Sequence, residues 1–339
     1  MKNSLTYLTR RCPRKCEYCA LRDAKDVGKE LDVKEWQEVF KILHSQGIDF
    51  NLILGNETWL LGYDLLQVMK VNRTPYALYT TCPEPMFSNF RKHFFQSGVI
   101  DNLSCGIDYP VLINEINDDS YKKSMDALKG FRWIKSSFPH VDTQGTITLH
   151  RKNIDHVLQL VDLLSWMEVF IGINFIHWNK DGGFDFFPDR KEIEDLLFKE
   201  EDYERLSIIL RTVKLHPHHT IQNPEFISQD VHILANMGWH CNGNPYGGPT
   251  IDADGTLRCC GYRRGKNTPV MKIFDLPGRE HIWKEAVRED AMNCPGCAWS
   301  YPWMFHYWEG INPEMGKKVF VKHAGKHIDE NKWSKRKIE

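Results

Sequence analysis

An α/β fold with a parallel sheet, followed by a small unit built around a β-hairpin, is predicted by three observations. Between Leu5 and about Phe175, short apolar runs alternate with stretches of helical periodicity, the signature of repeated βα units. The apolar runs are short, while the periodic stretches between them are long enough for helices that cover a sheet. In the last third, Asp254-Gly255 lies between two short strand-like runs and marks a hairpin turn.

Taken in order, the first strand is expected at 4–8. Asp32 and Glu35 then form a capping box that opens a helix. Val33, Trp36, Val39, Phe40 and Leu43 share one face of that helix, and Gly47 closes it. Further strands are expected at 50–54, 76–81, 102–107, 145–149 and 170–175, with helices over 61–71, near 121–137 and near 153–165. Gly182-Gly183 and Pro188 predict a loop before a helical stretch near 191–213. His216, His218 and His219 read as separate histidines of a solvated loop, since no Cys or carboxylate spacing completes a ligand set. There is no internal repeat and no low-complexity tract.

Composition narrows the partners. Forty-four Lys and Arg balance 45 Asp and Glu, so no global field attracts a polyanion, and nucleic acid is not favoured. No apolar run approaches the about 20 residues that span a bilayer, and the N-terminal residues lack an apolar signal segment. The expectation is a cytoplasmic protein without a membrane partner. Ten cysteines in such a chain point to metal rather than to disulfides. From Gly316 onward eight Lys or Arg stand against three Asp or Glu, which reads as a basic, solvated terminus.

The cysteines fall into two sets. Cys12, Cys16 and Cys19 stand as C-x3-C-x2-C just after the first expected strand, with Tyr18 before the last of them. A cubane 4Fe–4S cluster takes four thiolates, so three on one loop leave one iron without a protein ligand, which is the mark of an open catalytic site. A zinc site is the alternative, but the 60 residues that follow hold no Cys and one His, His44. This loop resembles the cluster loop of the radical S-adenosylmethionine (SAM) enzymes. The resemblance implies a partial (β/α)6 barrel of the TIM type, with its site at the C-terminal ends of the strands. It also implies an open iron chelated by the amino and carboxylate groups of SAM, reductive release of a 5′-deoxyadenosyl radical, and an external reductant such as flavodoxin or ferredoxin.

The same resemblance extends to L-G-N-E after the second strand, where the family commonly has Gly-Gly-Glu. Gly55 matches the first glycine and Glu57 the acid that takes the SAM amino group, while Asn56 departs from the pattern. A glutamate serving a helix start is the other reading of Glu57. Asp108, closing Cys105-Gly-Ile-Asp, resembles the acid near the SAM ribose, and an ordinary turn aspartate is its alternative. Cys82 and Cys105 have no paired spacing and read as small buried hydrophobes.

The second set is Cys241, Cys259, Cys260, Cys294 and Cys297. IDADGTLRCC resembles the D-G-x4-C turn of the SPASM and twitch domains that follow many radical SAM barrels. That alignment places Cys260, rather than Cys259, with Cys241, Cys294 and Cys297 as four thiolates for one closed auxiliary 4Fe–4S cluster. A structural zinc ribbon is the alternative. The domain expectation is a barrel over 1–235, a twitch-like unit over 236–310 and a basic tail over 311–339. The implied activity is of the oxidoreductase type, hydrogen abstraction from a substrate C–H followed by oxidation or rearrangement. Little sequence precedes the cluster loop, which favours a small-molecule substrate over a peptide. A non-enzymatic iron–sulfur or zinc module is the rival of a different class. Trp178, Phe184, Trp299, Trp303 and Trp308 are candidate substrate walls, with plain core aromatics as the other reading.

Overall fold

The structure, a computed structural model, describes residues 2–19, 28–72, 74, 76–81, 89–100, 102–110, 119–182, 187–217, 221–241, 248–261, 263, 265–268 and 270–311. Six parallel strands run in sequence order: β1 (Asn3–Tyr7), β2 (Phe50–Leu54), β3 (Tyr76–Thr80), β4 (Asn102–Gly106), β5 (Asp142–Leu149) and β6 (Phe170–Phe175). The helices between them are α1 (Val33–Ser45), α2 (Tyr63–Val71), α3 (Asn89–Gln96), α4 (Asp119–Ser137) and α5 (Val157–Trp166). After them come α6 (Tyr203–Lys214), α7 (Val231–Ala235), a hairpin of β7 (Thr250–Ile251) and β8 (Leu257–Arg258), then α8 (Glu280–Met292) and α9 (Ser300–Ile311). Each strand ends in a loop at the same edge of the sheet, so the residues after β1 to β6 are brought to one side.

Helix α1 forms as its sequence dictates. Glu35 N donates to Asp32 Oδ1 at 2.9 Å, and Asp32 N to Glu35 Oε2 at 2.8 Å. Trp36, Val39, Phe40 and Leu43 are buried against the sheet, and Gly47 ends the helix with φ +66°. On the helix-facing side of the strands, Leu8, Ile53, Leu78, Leu103 and Ile147 belong to the main core. Alternate residues Leu5, Tyr7, Phe50, Leu52 and Ala77 form a second cluster on the opposite face. Both faces of the sheet are therefore covered, as parallel strands require.

Several elements differ from expectation. β5 begins at Asp142 rather than 145, because Asp142, Thr143 and Gln144 pair with Asn102, Leu103 and Ser104 despite their polarity. Helix α3 was not expected at all. The single helix expected near 191–213 is broken into 3-10 segments Arg190–Leu196 and Glu200–Asp202 and then α6. At the break Leu196, Leu197 and Phe198 are all buried, which three successive residues of one helix cannot achieve on a surface face. His216 is only partly exposed, and its Nε2 meets Asp162 Oδ1 of α5 at 2.9 Å. His218, His219, Cys82 and the tail from 312 lie outside the described residues. No helix among the described residues is long and apolar enough to cross a membrane.

The hairpin does not stand apart from the barrel sheet. β7 pairs in parallel with the free edge of β1, Leu5 opposite Thr250 and Thr6 opposite Ile251, giving the order β6-β5-β4-β3-β2-β1-β7-β8. Leu5 N donates to Pro249 O at 3.1 Å. The approach is so close that a Cβ on Gly248 would lie 2.4 Å from Asn3 O. Gly248→Ala is expected to lower the unfolding free energy by about 1–3 kcal/mol, the usual cost of forcing atoms into a packed site. Urea denaturation of the two proteins checks this, and equal midpoints would show that β7 is not seated on β1.

Candidate functional site

The loop bearing Cys12, Cys16 and Cys19 leaves the C-terminal end of β1. Its first residues continue the register with the segment after β2: Asn56 N donates to Thr9 O at 3.1 Å, and Glu57 N to Arg11 O at 2.9 Å. The Asn56 side chain, where the family pattern has glycine, donates through Nδ2 to Arg10 O at 2.6 Å and braces the loop. Lys15 N donates to Asp119 Oδ2 at 2.7 Å, and Arg14 pairs with Asp126, so the middle of the loop is tied to α4. Cys16 and Cys19 close a turn, Cys19 N to Cys16 O at 3.0 Å. The thiols sense one another. Burial pushes Cys12 up to about 12, the N–H of Arg14 opposes this, and Glu57, Cys19 and Cys16 add to the rise. Burial also raises Cys16, with Lys123 opposing.

Tyr18 anchors the loop from the barrel side. Its hydroxyl donates to Asp108 Oδ2, which also accepts from Lys123 Nζ at 2.5 Å, and Lys123 Nζ lies 2.5 Å from the Tyr18 oxygen. Thr148 N donates to Asp108 Oδ1 at 2.9 Å. Asp108, expected near a ribose, is fully buried and engaged by these partners from the cluster loop, α4 and β5. Burial alone would favour the neutral Lys123 amine, but Asp108 and then Cys16 outweigh it and raise its pKa. The Tyr18 ring packs against His150, centroids 5.7 Å apart, and His150 against Tyr109 at the same distance.

Glu57 is also fully buried. It caps the 3-10 turn Thr58–Leu61 through Trp59 N at 3.2 Å, the helix-start role weighed from the sequence. It accepts Thr80 Oγ1 at 2.6 Å, Thr81 N at 2.8 Å and the Thr81 hydroxyl as well. Four donors occupy the about four lone-pair sites of a carboxylate, and they fix its orientation at the ends of β2 and β3. Burial raises its pKa, with the threonine hydroxyls opposing. Gly55 is required by a close approach within the protein: a Cβ there would lie 3.0 Å from Thr58 Cγ2 and 3.1 Å from Thr9 Cγ2.

The second cysteine set converges although its members lie up to 56 residues apart in sequence. Cys241, Cys259, Cys260, Cys294 and Cys297 line one cavity together with His177, Trp239, Arg263 and Trp299. The two adjacent cysteines differ. Cys259 is 3% exposed, its thiol 3.8 Å from Val287 O of α8, and burial raises its pKa well above the usual range. Cys260 is partly exposed and packs with the second cluster beside Trp299. No disulfide joins the described cysteines, and Cys105 sits in the main core. Among the described residues, no three His, Cys, Asp or Glu side chains already stand as ligands of a single metal ion.

His177 escaped the sequence reading. It lies two residues after the end of β6, a position at the strand ends that the fold makes suspect. Its Nδ1 meets Phe175 O at 2.9 Å and its Nε2 accepts from Ala298 N at 3.1 Å, 3.7 Å from Cys297 Sγ. Burial holds it neutral, with a pKa near 4. Of the aromatics expected to wall a substrate, Trp178 and Trp303 are core residues, 5% and 6% exposed. Trp299 differs from them. It lines both the thiol cavity and a second cavity inside the sheet, where Leu52, Tyr79, Gln144, Thr146 and Asn174 also face. Residues from β2, β3, β5 and β6 meet in that one cavity, so the sheet is curved around it. None of its lining side chains is charged. Phe184 lies outside the described residues, as does the Trp308 side chain.

No protein-family model and no curated protein matches the chain. Solved structures do match it in three dimensions. SuiB of Streptococcus suis bound to precursor peptide SuiA matches with TM-score 0.62 and 11% identity over 87% of this chain and 69% of its own. The protein anSMEcpe with bound AdoMet matches with TM-score 0.59 and 15% identity over 95% of this chain and 96% of its own. The chain has the radical SAM fold. In the SAM-bound SuiB structure the match spans 63% of the SuiB chain, so the chain corresponds to a part of that protein. Within the radical SAM fold, the C-x3-C-x2-C loop stands at the end of the first barrel strand, as the sequence led one to expect.

The buried Tyr18–Asp108–Lys123 group should carry measurable stability. Tyr18→Phe removes a hydrogen bond to a charged partner and is expected to cost about 1.5–3 kcal/mol. Lys123→Met strands the Asp108 carboxylate and should cost more, about 3–5 kcal/mol. Urea unfolding of the metal-free proteins checks the order; two variants as stable as the parent would contradict it.

Proposed function

We propose that this chain is a radical SAM enzyme, with one 4Fe–4S cluster on Cys12, Cys16 and Cys19 and an auxiliary 4Fe–4S cluster on Cys241, Cys260, Cys294 and Cys297. The observation that carries the reading is the position of the three-cysteine loop at the C-terminal end of β1 in a radical SAM fold. When bound, the first cluster and SAM supply a radical able to take hydrogen from an unactivated C–H. The donor chemistry fits, since both sets offer thiols, and the loop set offers three. A zinc ion needs its ligands about 2.3 Å from one point. The thiols of the second set instead line one pocket without any three of them standing as ligands of a single ion, which suits a multi-atom cluster better.

In this reading the chain's own residues divide the work. Glu57, oriented by Thr80 Oγ1 and the N–H groups of Trp59 and Thr81, accepts the SAM amino group in place of the Thr81 hydroxyl. Asn56 and Asp108 brace the loop, Asp108 through Tyr18, and Gly55 lets the two loop segments close on each other. Trp299 separates the auxiliary thiols from the inner cavity, which takes an uncharged part of the substrate and excludes water. Residues 236–310 act as the twitch-like auxiliary unit even though its hairpin joins the barrel sheet. An external flavodoxin or ferredoxin serves as reductant.

A peptide is the better substrate class. SuiB is seen with its precursor peptide SuiA and anSMEcpe with the Cp18Cys peptide, and these matches cover 87% and 95% of this chain. The small-molecule expectation rests on the shortness of the sequence before the cluster loop, to which no observation has been added.

Anaerobic reconstitution tests the reading. About eight irons per chain are expected, two cubanes with their thiolate ligands, and the reduced protein should convert SAM to 5′-deoxyadenosine. Replacing Cys12, Cys16 and Cys19 by Ala should halve the iron and abolish that product. Cys259→Ser should keep the full iron content, whereas Cys260→Ser should lose about half, because the buried Cys259 thiol is turned to Val287 O of α8 while Cys260 is partly exposed. Glu57→Gln should retain both clusters and bind SAM about ten- to a hundredfold more weakly, the worth of a charge-assisted hydrogen bond. Tightly bound zinc without iron would overturn the reading.

A further inference from the structure

The roots of the two cysteine loops meet in a buried ionic group. Arg10, two residues before Cys12, donates through Nε to Asp252 Oδ1 at 2.5 Å. Arg258, directly before Cys259, pairs with Asp252 Oδ2. The three side chains are 4%, 1% and 4% exposed. The Arg10 guanidinium lies 4.0 Å over the Tyr7 ring, and the Tyr7 hydroxyl donates to Gly261 O at 3.0 Å, just beyond Cys260.

The returning end of the cluster loop is held by the same hairpin. Leu31 N donates to Ala253 O at 2.8 Å, and a Cβ on Gly28 would meet Asp254 Oδ2 at 3.3 Å. Glu30 links that end back to the start: its Oε1 accepts Arg10 N and Thr9 Oγ1, both at 2.8 Å, and its Oε2 lies 3.1 Å from Arg11 Nε. A single arginine would neutralise Asp252. Two arginines, one at the root of the cluster loop and one at the end of β8 directly before Cys259, make its carboxylate a junction, because each oxygen is committed to a different one.

We propose that Asp252 is a positioning residue that couples the two cysteine loops, so that ordering one of them favours ordering the other. Both ends of the cluster loop rest on the turn whose next residues carry Cys259 and Cys260. A group bound by the second cysteine set stiffens that turn and lowers the cost of ordering residues 9–12, and coupling of this kind is reciprocal. What the loops hold rests on the radical SAM reading; the junction itself does not.

Amide hydrogen exchange tests the junction on the metal-free chain. Arg10→Met leaves the Asp252–Arg258 pair intact, so the hairpin keeps its counter-ion. Exchange at residues 9–12 and 28–31 should rise at least about tenfold, with residues 252–258 changed by less than about twofold, as for a local opening. Asp252→Asn should release both loops. Asp290→Asn is the control, since Asp290 holds the N–H groups of Lys266, Asn267 and Thr268 and touches neither loop root; it should leave residues 9–12 protected. Unchanged protection at 9–12 in Arg10→Met, or equal opening there and across the whole sheet, would overturn the proposal.

Coupling is read in a second arm, using protein with Cys12, Cys16 and Cys19 replaced by Ala and loaded with iron and sulfide. Loading should slow exchange at 9–11 about threefold or more, and adding Arg10→Met should abolish that slowing. A merely structural junction would not respond to loading. Iron uptake without any change at 9–11 overturns the coupling. No iron uptake at all overturns the auxiliary-cluster reading, and the metal-free arm then still decides the junction.

Discussion

β1 is hydrogen-bonded along both edges, to β2 on one side and to β7 on the other. Every other feature of the site is placed by that pairing. The end of β1 becomes the start of the three-cysteine loop, the segment after β2 runs alongside it and sets Glu57, and β7 leads through Asp252 to Cys259 and Cys260. With every β1 residue buried, the strand has no freedom to slide, since a one-residue slip would turn Leu5 and Tyr7 to the wrong face. Two loops that carry the cysteine sets are thus fixed to a rigid element, which is what precise placement of a bound group requires.

The loops themselves are held by buried charge rather than by hydrophobic packing. Tyr18, Asp108 and Lys123 grip the cluster loop from the barrel, and Arg10, Asp252 and Arg258 grip its root from the hairpin. Such groups contribute little to stability over a hydrophobic substitute, but they fix one arrangement, because breaking a single partner strands the rest in a medium of low polarity. Apolar side chains, which tolerate repacking, would leave the loops less sharply set.

The six barrel strands and α1 were legible because their physics is local: apolar runs of strand length, a capping box and a closing glycine. Where the interior is polar, that signal fails. Asp142, Thr143 and Gln144 did not read as strand, yet Gln144 faces the inner cavity. The first cysteine set was legible by its spacing, the second through the resemblance of IDADGTLRCC to a D-G-x4-C turn, and the hairpin by Asp254-Gly255. Their partners were not. Asp108 meets Tyr18 across 90 residues and Arg10 meets Asp252 across 242, so no local pattern could announce that these carboxylates are already engaged. Glu57 shows the same limit, since its role at a helix start was foreseeable from L-G-N-E but the grip of Thr80 and Thr81 was not. Trp178 and Trp303 were ambiguous for the opposite reason: an aromatic reads alike whether it lines a site or fills a core.

The central claim, that the loop on β1 holds a cluster with an iron open to SAM, is tested most directly by electron paramagnetic resonance of the reduced, reconstituted chain without and with SAM. The expected result is a signal from two reduced clusters, of which one component changes its g values when SAM is added while the other does not. A cluster signal that SAM leaves wholly unchanged, or the absence of any reduced-cluster signal in protein that carries its full iron, would contradict it.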